Sequence, residues 1–178
     1  MKTGTNSQRN MTVKFAKACE TADTVELVGV RVEYKNTTAM TILHASLAGT
    51  SVEDFYNIVS MASNLKKATI GPYITEHYFD MFRQLAVIED DIRFKRKNAE
   101  SRQFVISFER LHCFQSIQFL IRGNTIFAIA NMRSCNAKDN LAMDAALVAY
   151  CAQRIRSTGW QDAEIHVIMN IGSLHIFR

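Results

Sequence analysis

Cys113-Phe114-Gln115-Ser116-Ile117-Gln118-Phe119-Leu120-Ile121, then Arg122-Gly123-Asn124, then Thr125-Ile126-Phe127-Ala128-Ile129-Ala130-Asn131, is the stretch whose reading decides the fold. Two β-rich runs flank a Gly-Asn turn, so strands are expected over 113–121 and 125–131. A third strand is expected just upstream, over 103–108. Downstream, the alanine-rich run 140–156 spells a helix whose small side chains allow close packing on a sheet. Strands over 164–169 and 174–177 follow it. Upstream, Phe79, Phe82, Leu85, Ala86, Ile88 and Ile92 recur at helical spacing and predict a helix over 75–95 with a broad buried face. Gly71-Pro72 breaks the chain before it. Ser51 reads as an N-cap with Asp54 three residues on, and Val52, Phe55, Ile58 and Val59 give that helix an apolar stripe. The alternation in 25–34 predicts a half-buried strand, and 40–47 a second one after the Lys35-Asn36-Thr37 turn. Strands and helices segregate, which points to an α+β domain with a largely mixed sheet and a long central helix.

With 178 residues, 48% of them apolar, the chain suffices for one domain with a substantial core. Residues 1–12 read as a loose polar tail and 13–178 as a single domain. The net charge of +4 is spread out except at Arg93-Phe94-Lys95-Arg96-Lys97. Such a run reads as a solvated helix end, with Phe94 partly buried, and nucleic acid is not the expected partner. Cysteines at 19, 113, 135 and 151 show no metal-ligand spacing, so no metal is expected; reduced thiols fit a cytoplasmic protein. No apolar run approaches the roughly 18 residues of a membrane span. Cys113 and Arg133-Ser134 place a soft nucleophile and a phosphate-grade cation on adjoining strands, a combination that suits nucleotide chemistry.

Cys113 followed by Gln118-Phe119, the hairpin and Arg133-Ser134-Cys135-Asn136 resembles the catalytic core of the thymidylate synthase family. The resemblance continues at Asn98-Ala99-Glu100-Ser101-Arg102-Gln103, at Asp139-Asn140-Leu141-Ala142-Met143-Asp144, and at Gly172-Ser173-Leu174-His175-Ile176-Phe177; it is good from residue 84 onward and weak before that. It implies a thymidylate synthase-like sheet, one face of which serves homodimerisation. It implies that Cys113 attacks C6 of a pyrimidine nucleoside monophosphate, with Arg133 lowering the thiol pKa and, with Ser134, holding the phosphate. Arg102 matches an arginine that reaches the partner's phosphate, although its companion is Gln103 here. Gln118 matches a strand-stabilising residue that contacts the site, and an ordinary sheet glutamine is the other reading. His175 and Phe177 match a sugar-binding His and Tyr, of which Phe177 lacks the hydroxyl. Asn136 stands where an aspartate meets base and folate, and Asn140 where a glycine admits the cofactor, 5,10-methylenetetrahydrofolate. Glu53 is the nearest match to the family's proton-transfer glutamate, with Glu76 a weaker one.

Asp144 is the most discriminating departure. Uracil-specific members carry Asn at this position, which donates to O4 and accepts from N3–H. A carboxyl accepts from the N4 amino group of cytosine and, when protonated, donates to N3. Deoxycytidylate hydroxymethylases carry Asp at the matching position, so the resemblance implies a dCMP hydroxymethylase of a small, bacteriophage-associated kind. The bland reading of Asp144 is an exposed helix-start carboxylate. The sequence given ends directly after the His-Ile-Phe strand, where typical members continue into a lid over the folate, and its absence favours hydroxymethyl transfer, for which water is a substrate. The alternatives are a dUMP methylase or hydroxymethylase, a catalytically degenerate nucleotide-binding relative acting as sensor, inhibitor or assembly protein, and a nucleic-acid module built on the basic run.

Overall fold

The structure, a computed structural model, describes residues 24–45, 55, 56, 59, 72–95, 98–109, 112–138 and 140–177. Its elements are β1 (Thr24–Tyr34), α1 (Ala39–Ala45), α2 (Pro72–Arg93), β2 (Val105–Ser107), β3 (Phe114–Arg122), β4 (Thr125–Asn136), α3 (Leu141–Arg156) and β5 (Glu164–Phe177). The strands form one five-stranded sheet in the order β1-β5-β4-β3-β2. β4 and β5 run parallel, joined by α3 as a crossover, and every other pair is antiparallel. The fold is therefore α+β with a mixed sheet. Among the described residues no helix is long and apolar enough to cross a membrane.

The β3–β4 hairpin forms because Gly123 takes φ +55 at the first central position of a two-residue loop, closed by the Arg122–Thr125 pair. A glycine there is what a twist-compatible turn requires. Alternation then buries Ile117, Phe119 and Ile121 of β3 and Ile126, Ala128, Ala130 and Met132 of β4 on one face. α3 covers that face with an almost unbroken run of small and aliphatic residues from Ala145 to Ala149, then Cys151, Ala152 and Ile155. α2 adds Met81, Phe82, Leu85, Ile88 and Ile92.

Three strands change their inward phase together. The buried residue steps by three instead of two from Met132 to Cys135, Ile171 to Leu174 and Leu27 to Val30, Leu27 being only partly buried. The steps are in register, for Met132 pairs with Ile171 and Ile171 with Val30, and Cys135 pairs with Leu174 and Leu174 with Leu27; the step from Phe114 to Ile117 in β3 is a separate bulge, opposite Met132 and Ala130. A slip in one strand alone would turn its remaining side chains away from the core; a shared slip bends the whole sheet. Gly172 sits on this bend, where an added Cβ would lie 2.7 Å from the backbone oxygen of Arg133. Backbone cannot retreat as a flexible side chain can. Gly172→Ala is therefore expected to cost roughly 1–3 kcal/mol, read as a lower urea midpoint with unchanged slope.

Three expectations are corrected. Residues 40–47 do not form a strand: 39–45 are α1, because Ala39, Ile42 and Leu43 bury one helical face. The Thr38 hydroxyl accepts the Thr41 N–H at 3.1 Å and Gln153 Oε1 accepts the Ala39 N–H at 3.0 Å, satisfying donors at the helix start. Residues 164–169 and 174–177 are one strand, β5, since β1 and β4 pair with it on both sides of Gly172, and β4 likewise runs on to Asn136. Phe94 is 60% exposed, just beyond the end of α2. Of the helix expected to begin at Ser51, only Phe55, Tyr56 and Val59 are described; Glu53 and the tail 1–12 lie outside the described residues, as do Lys97 and Arg96 of the basic run.

Candidate functional site

The bend brings the head of β3, the ends of β4 and β5 and the start of α3 to one edge of the sheet. Cys113 precedes β3, is exposed, and its carbonyl accepts the Arg133 N–H at 2.8 Å. The Ser134 hydroxyl lies 3.9 Å from the Cys113 sulfur. Ser134 pairs with Ser173 and Asn136 with His175 across the parallel β4–β5 ladder. Expected site residues from four elements thus meet, at the carboxyl ends of the two parallel strands, where open sheets with crossover helices place ligands.

Asp144 is buried, not an exposed helix-start residue, with 8% of its surface accessible. Its backbone N–H reaches the Asn140 carbonyl at 2.8 Å, which sets the carboxyl under the β4 end. Cys135 points inward because of the phase slip, and its sulfur stands 3.5 Å from Asp144 Oδ2. Burial pushes the Asp144 carboxyl up to about 7, and the Cys135 hydrogen bond works the other way without cancelling it. Cys135 itself is raised, first by burial and then by Asp144. Tyr78 of α2 is raised by burial and then by the charges of Asp144 and Cys113. Tyr34 of β1 is pushed up to about 12, first by burial and then by the charge of Cys135. His112 accepts the Phe114 N–H through Nδ1 at 3.1 Å and packs between Tyr78 and Phe108, with ring centroids 6.3 and 4.8 Å away.

The Asp144 shift carries a stability consequence. Its folded-state pKa lies above the ordinary 3.8, so the fold favours the neutral acid, and that advantage is whole below about pH 4 and lost as pH rises to about 7. Asp144→Asn removes the dependence. Its melting temperature relative to wild type is expected to gain roughly 5–10 °C between pH 5 and pH 8, measurable by scanning calorimetry.

Other expected residues lie elsewhere. Gln118 donates through Nε2 to the Arg102 carbonyl at 2.9 Å, mid-strand, and so acts as a sheet glutamine tying down the segment before β2. Cys113 precedes Gln118 by five residues, a span of roughly 16 Å at strand rise. Arg102 is therefore out of reach of its own chain's Cys113. It lines an open depression with Ser101, Gln103 and Arg122, whose guanidinium donates to the Glu100 carbonyl at 3.0 Å. Asn140 is exposed at the head of α3 and makes no side-chain cap bond; Asn136 Oδ1 accepts the Lys138 N–H at 3.0 Å. His175 is half-buried, and its carbonyl accepts the Ala137 N–H at 2.8 Å. Glu53 lies outside the described residues, and so do the side chains of Glu76 and Phe177.

Tyr78, His112 and the Cys135–Asp144 contact were not foreseen. Tyr78 carried no signal beyond its place in an apolar helix, and Cys135 only its place beside Ser134. Among the described residues no group of three or more His, Cys, Asp or Glu side chains could hold a metal ion, and Cys113, Cys135 and Cys151 are free thiols. No protein-family model matches the chain, and no curated protein matches it. What fold and site define is an α+β domain with an exposed thiol, a hydroxyl and a buried carboxyl converging at the end of a parallel strand pair.

Proposed function

We propose that the chain is a thymidylate synthase-like pyrimidine-nucleotide C5 one-carbon transferase acting on dCMP by hydroxymethyl transfer. The observation that carries this is the convergence of exposed Cys113, Ser134 and buried Asp144 on one sheet edge. C5 of a pyrimidine is a weak nucleophile until a group adds at C6. Addition of the Cys113 thiolate there forms an S–C6 bond and moves the ring electron pair to C5. Ser134 and Arg133 hold the phosphate, and His175 borders the sugar. Asp144, neutral below its raised pKa, accepts from N4–H of cytosine and donates to N3.

The groups that would meet a folate are Asn136, whose Oδ1 already accepts the Lys138 N–H, and Asn140, a side chain where the resemblance expects glycine. Asn136 and Asn140 are neutral carboxamides at the β4–α3 junction, and amide-like edges of a pterin pair with such groups. These residues would hold methylenetetrahydrofolate, which supplies a one-carbon unit at the formaldehyde level when bound. A homodimer belongs to the same reading. Leu120, Phe127, Ile129 and Ile168 are half-buried on the sheet face away from the helices, where no described element covers them. A second copy on that face suits Arg102, which is too far from its own Cys113 to serve it.

Release of tritium from C5-labelled dCMP and dUMP tests the reading. Release from dCMP in preference to dUMP is the expected result; release from dUMP alone would reverse the base assignment. Nucleotide binding with no release from either would instead fit a non-catalytic nucleotide-binding relative.

A further inference from the structure

We infer that Cys135 is a positioning residue that decides which oxygen of Asp144 carries the proton, and thereby which base the carboxyl reads; this rests on the base-reading role of Asp144 proposed above. A neutral carboxyl is ambiguous. With the proton on one oxygen it offers an acceptor and a donor that match N4–H and N3 of cytosine. With the proton on the other oxygen the order reverses and matches O4 and N3–H of uracil. In an isolated acid the two oxygens are equivalent, so the group by itself selects neither base.

Here the oxygens are not equivalent. The Cys135 sulfur lies 3.5 Å from Oδ2, and both side chains are buried. A thiol is a donor, so Oδ2 is held as an acceptor and the proton belongs on Oδ1. The thiol has one hydrogen and a second acceptor, the Asn136 carbonyl at 3.6 Å. That carbonyl already accepts the Asn140 N–H at 3.0 Å, and Oδ2 is the nearer of the two acceptors. The other titratable groups that act on the carboxyl and the thiol beside it are Tyr78 from α2 and Cys113 at the head of β3, and Tyr34 of β1 feels the charge of Cys135. Burial keeps Tyr34, Tyr78 and Cys135 protonated through neutral pH, so none of these three competes with Asp144 for its proton near pH 7.

Two measurements on the full chain test this. Binding of dCMP and dUMP to wild type, Cys135→Ala and Cys135→Ser by calorimetry should show the preference for dCMP falling about tenfold in Cys135→Ala, the worth of one hydrogen bond. Cys135→Ser, which keeps a donor, should restore most of it. If Cys135→Ala does not fold, Cys135→Val fills the space without donating and takes its place. In the ligand-free protein, carbon-13 NMR titration of the Asp144 carboxyl should move upward by about one pH unit in the non-donating variants, because the charged form loses a donor. An unchanged dCMP preference or an unmoved titration in those variants overturns the inference alone. If wild type binds neither nucleotide, the base-reading role of Asp144 falls and this inference falls with it.

Discussion

Cys113→Ala is expected to lower C5 tritium release from dCMP by at least roughly a thousandfold, because in the proposed reaction every later step requires the S–C6 bond. Cys113→Ser should fare little better: an alkoxide is far harder to form than a thiolate and adds poorly to a conjugated ring. Both variants should keep the wild-type melting temperature. Cys113 is exposed and outside the core, so its removal leaves no buried cavity. They should also keep nucleotide affinity within a fewfold, since the proposed reaction assigns phosphate and base to other residues. A variant that loses binding and release together would point to a structural sulfur and count against covalent catalysis. Persistent release from Cys113→Ala would remove the covalent step from the proposal altogether.

Arg154→Ala is expected to produce the largest loss of stability, about 3–5 kcal/mol. Glu89 of α2 is 7% exposed and receives two guanidinium hydrogen bonds from Arg154 of α3, Nε to Oε1 at 2.6 Å and Nη2 to Oε2. This forked geometry satisfies both carboxylate oxygens. Burial disfavours the guanidinium charge, yet the hydrogen bond and charge of Glu89 outweigh it, so the Arg154 pKa moves up. Removing Arg154 leaves the buried Glu89 carboxyl without the donors that satisfy both its oxygens. Chemical denaturation should show the loss. The pair Glu89→Gln with Arg154→Met should recover most of it, because no charge is then left buried. Equal losses in the single and the paired variants would mean that packing, not charge, holds α2 against α3 here.

The hairpin, α2, α3 and the strand Thr24–Tyr34 were legible because each is written locally, in alternation, helical spacing and the Arg122-Gly123-Asn124 turn. Residues 39–45 were not. A run of Ala, Met, Thr, Ile and Leu suits strand or helix equally, and only packing of Ile42 and Leu43 against the core decides. The interruption expected at Gly172 was also a tertiary matter, since the two neighbours that keep β5 continuous come from distant parts of the chain. Of the candidate site, the sequence supplied residue types and spacing: Cys113, Arg133-Ser134 and Asp144. It could not supply the in-register slip that turns Cys135 inward, nor the approach of Tyr78.

By itself, then, the order of residues determined which segments are strands and helices wherever periodicity runs longer than one turn, and which side chains carry a thiol, a guanidinium or a carboxyl. Tertiary structure decided the environment of those side chains. Asp144 is an ordinary carboxylate in the chain and a near-neutral acid in the fold, because α3 presses it beneath β4 and away from water. Charge state depends on solvation, and solvation is settled by what lies across the core, not by the next residue along.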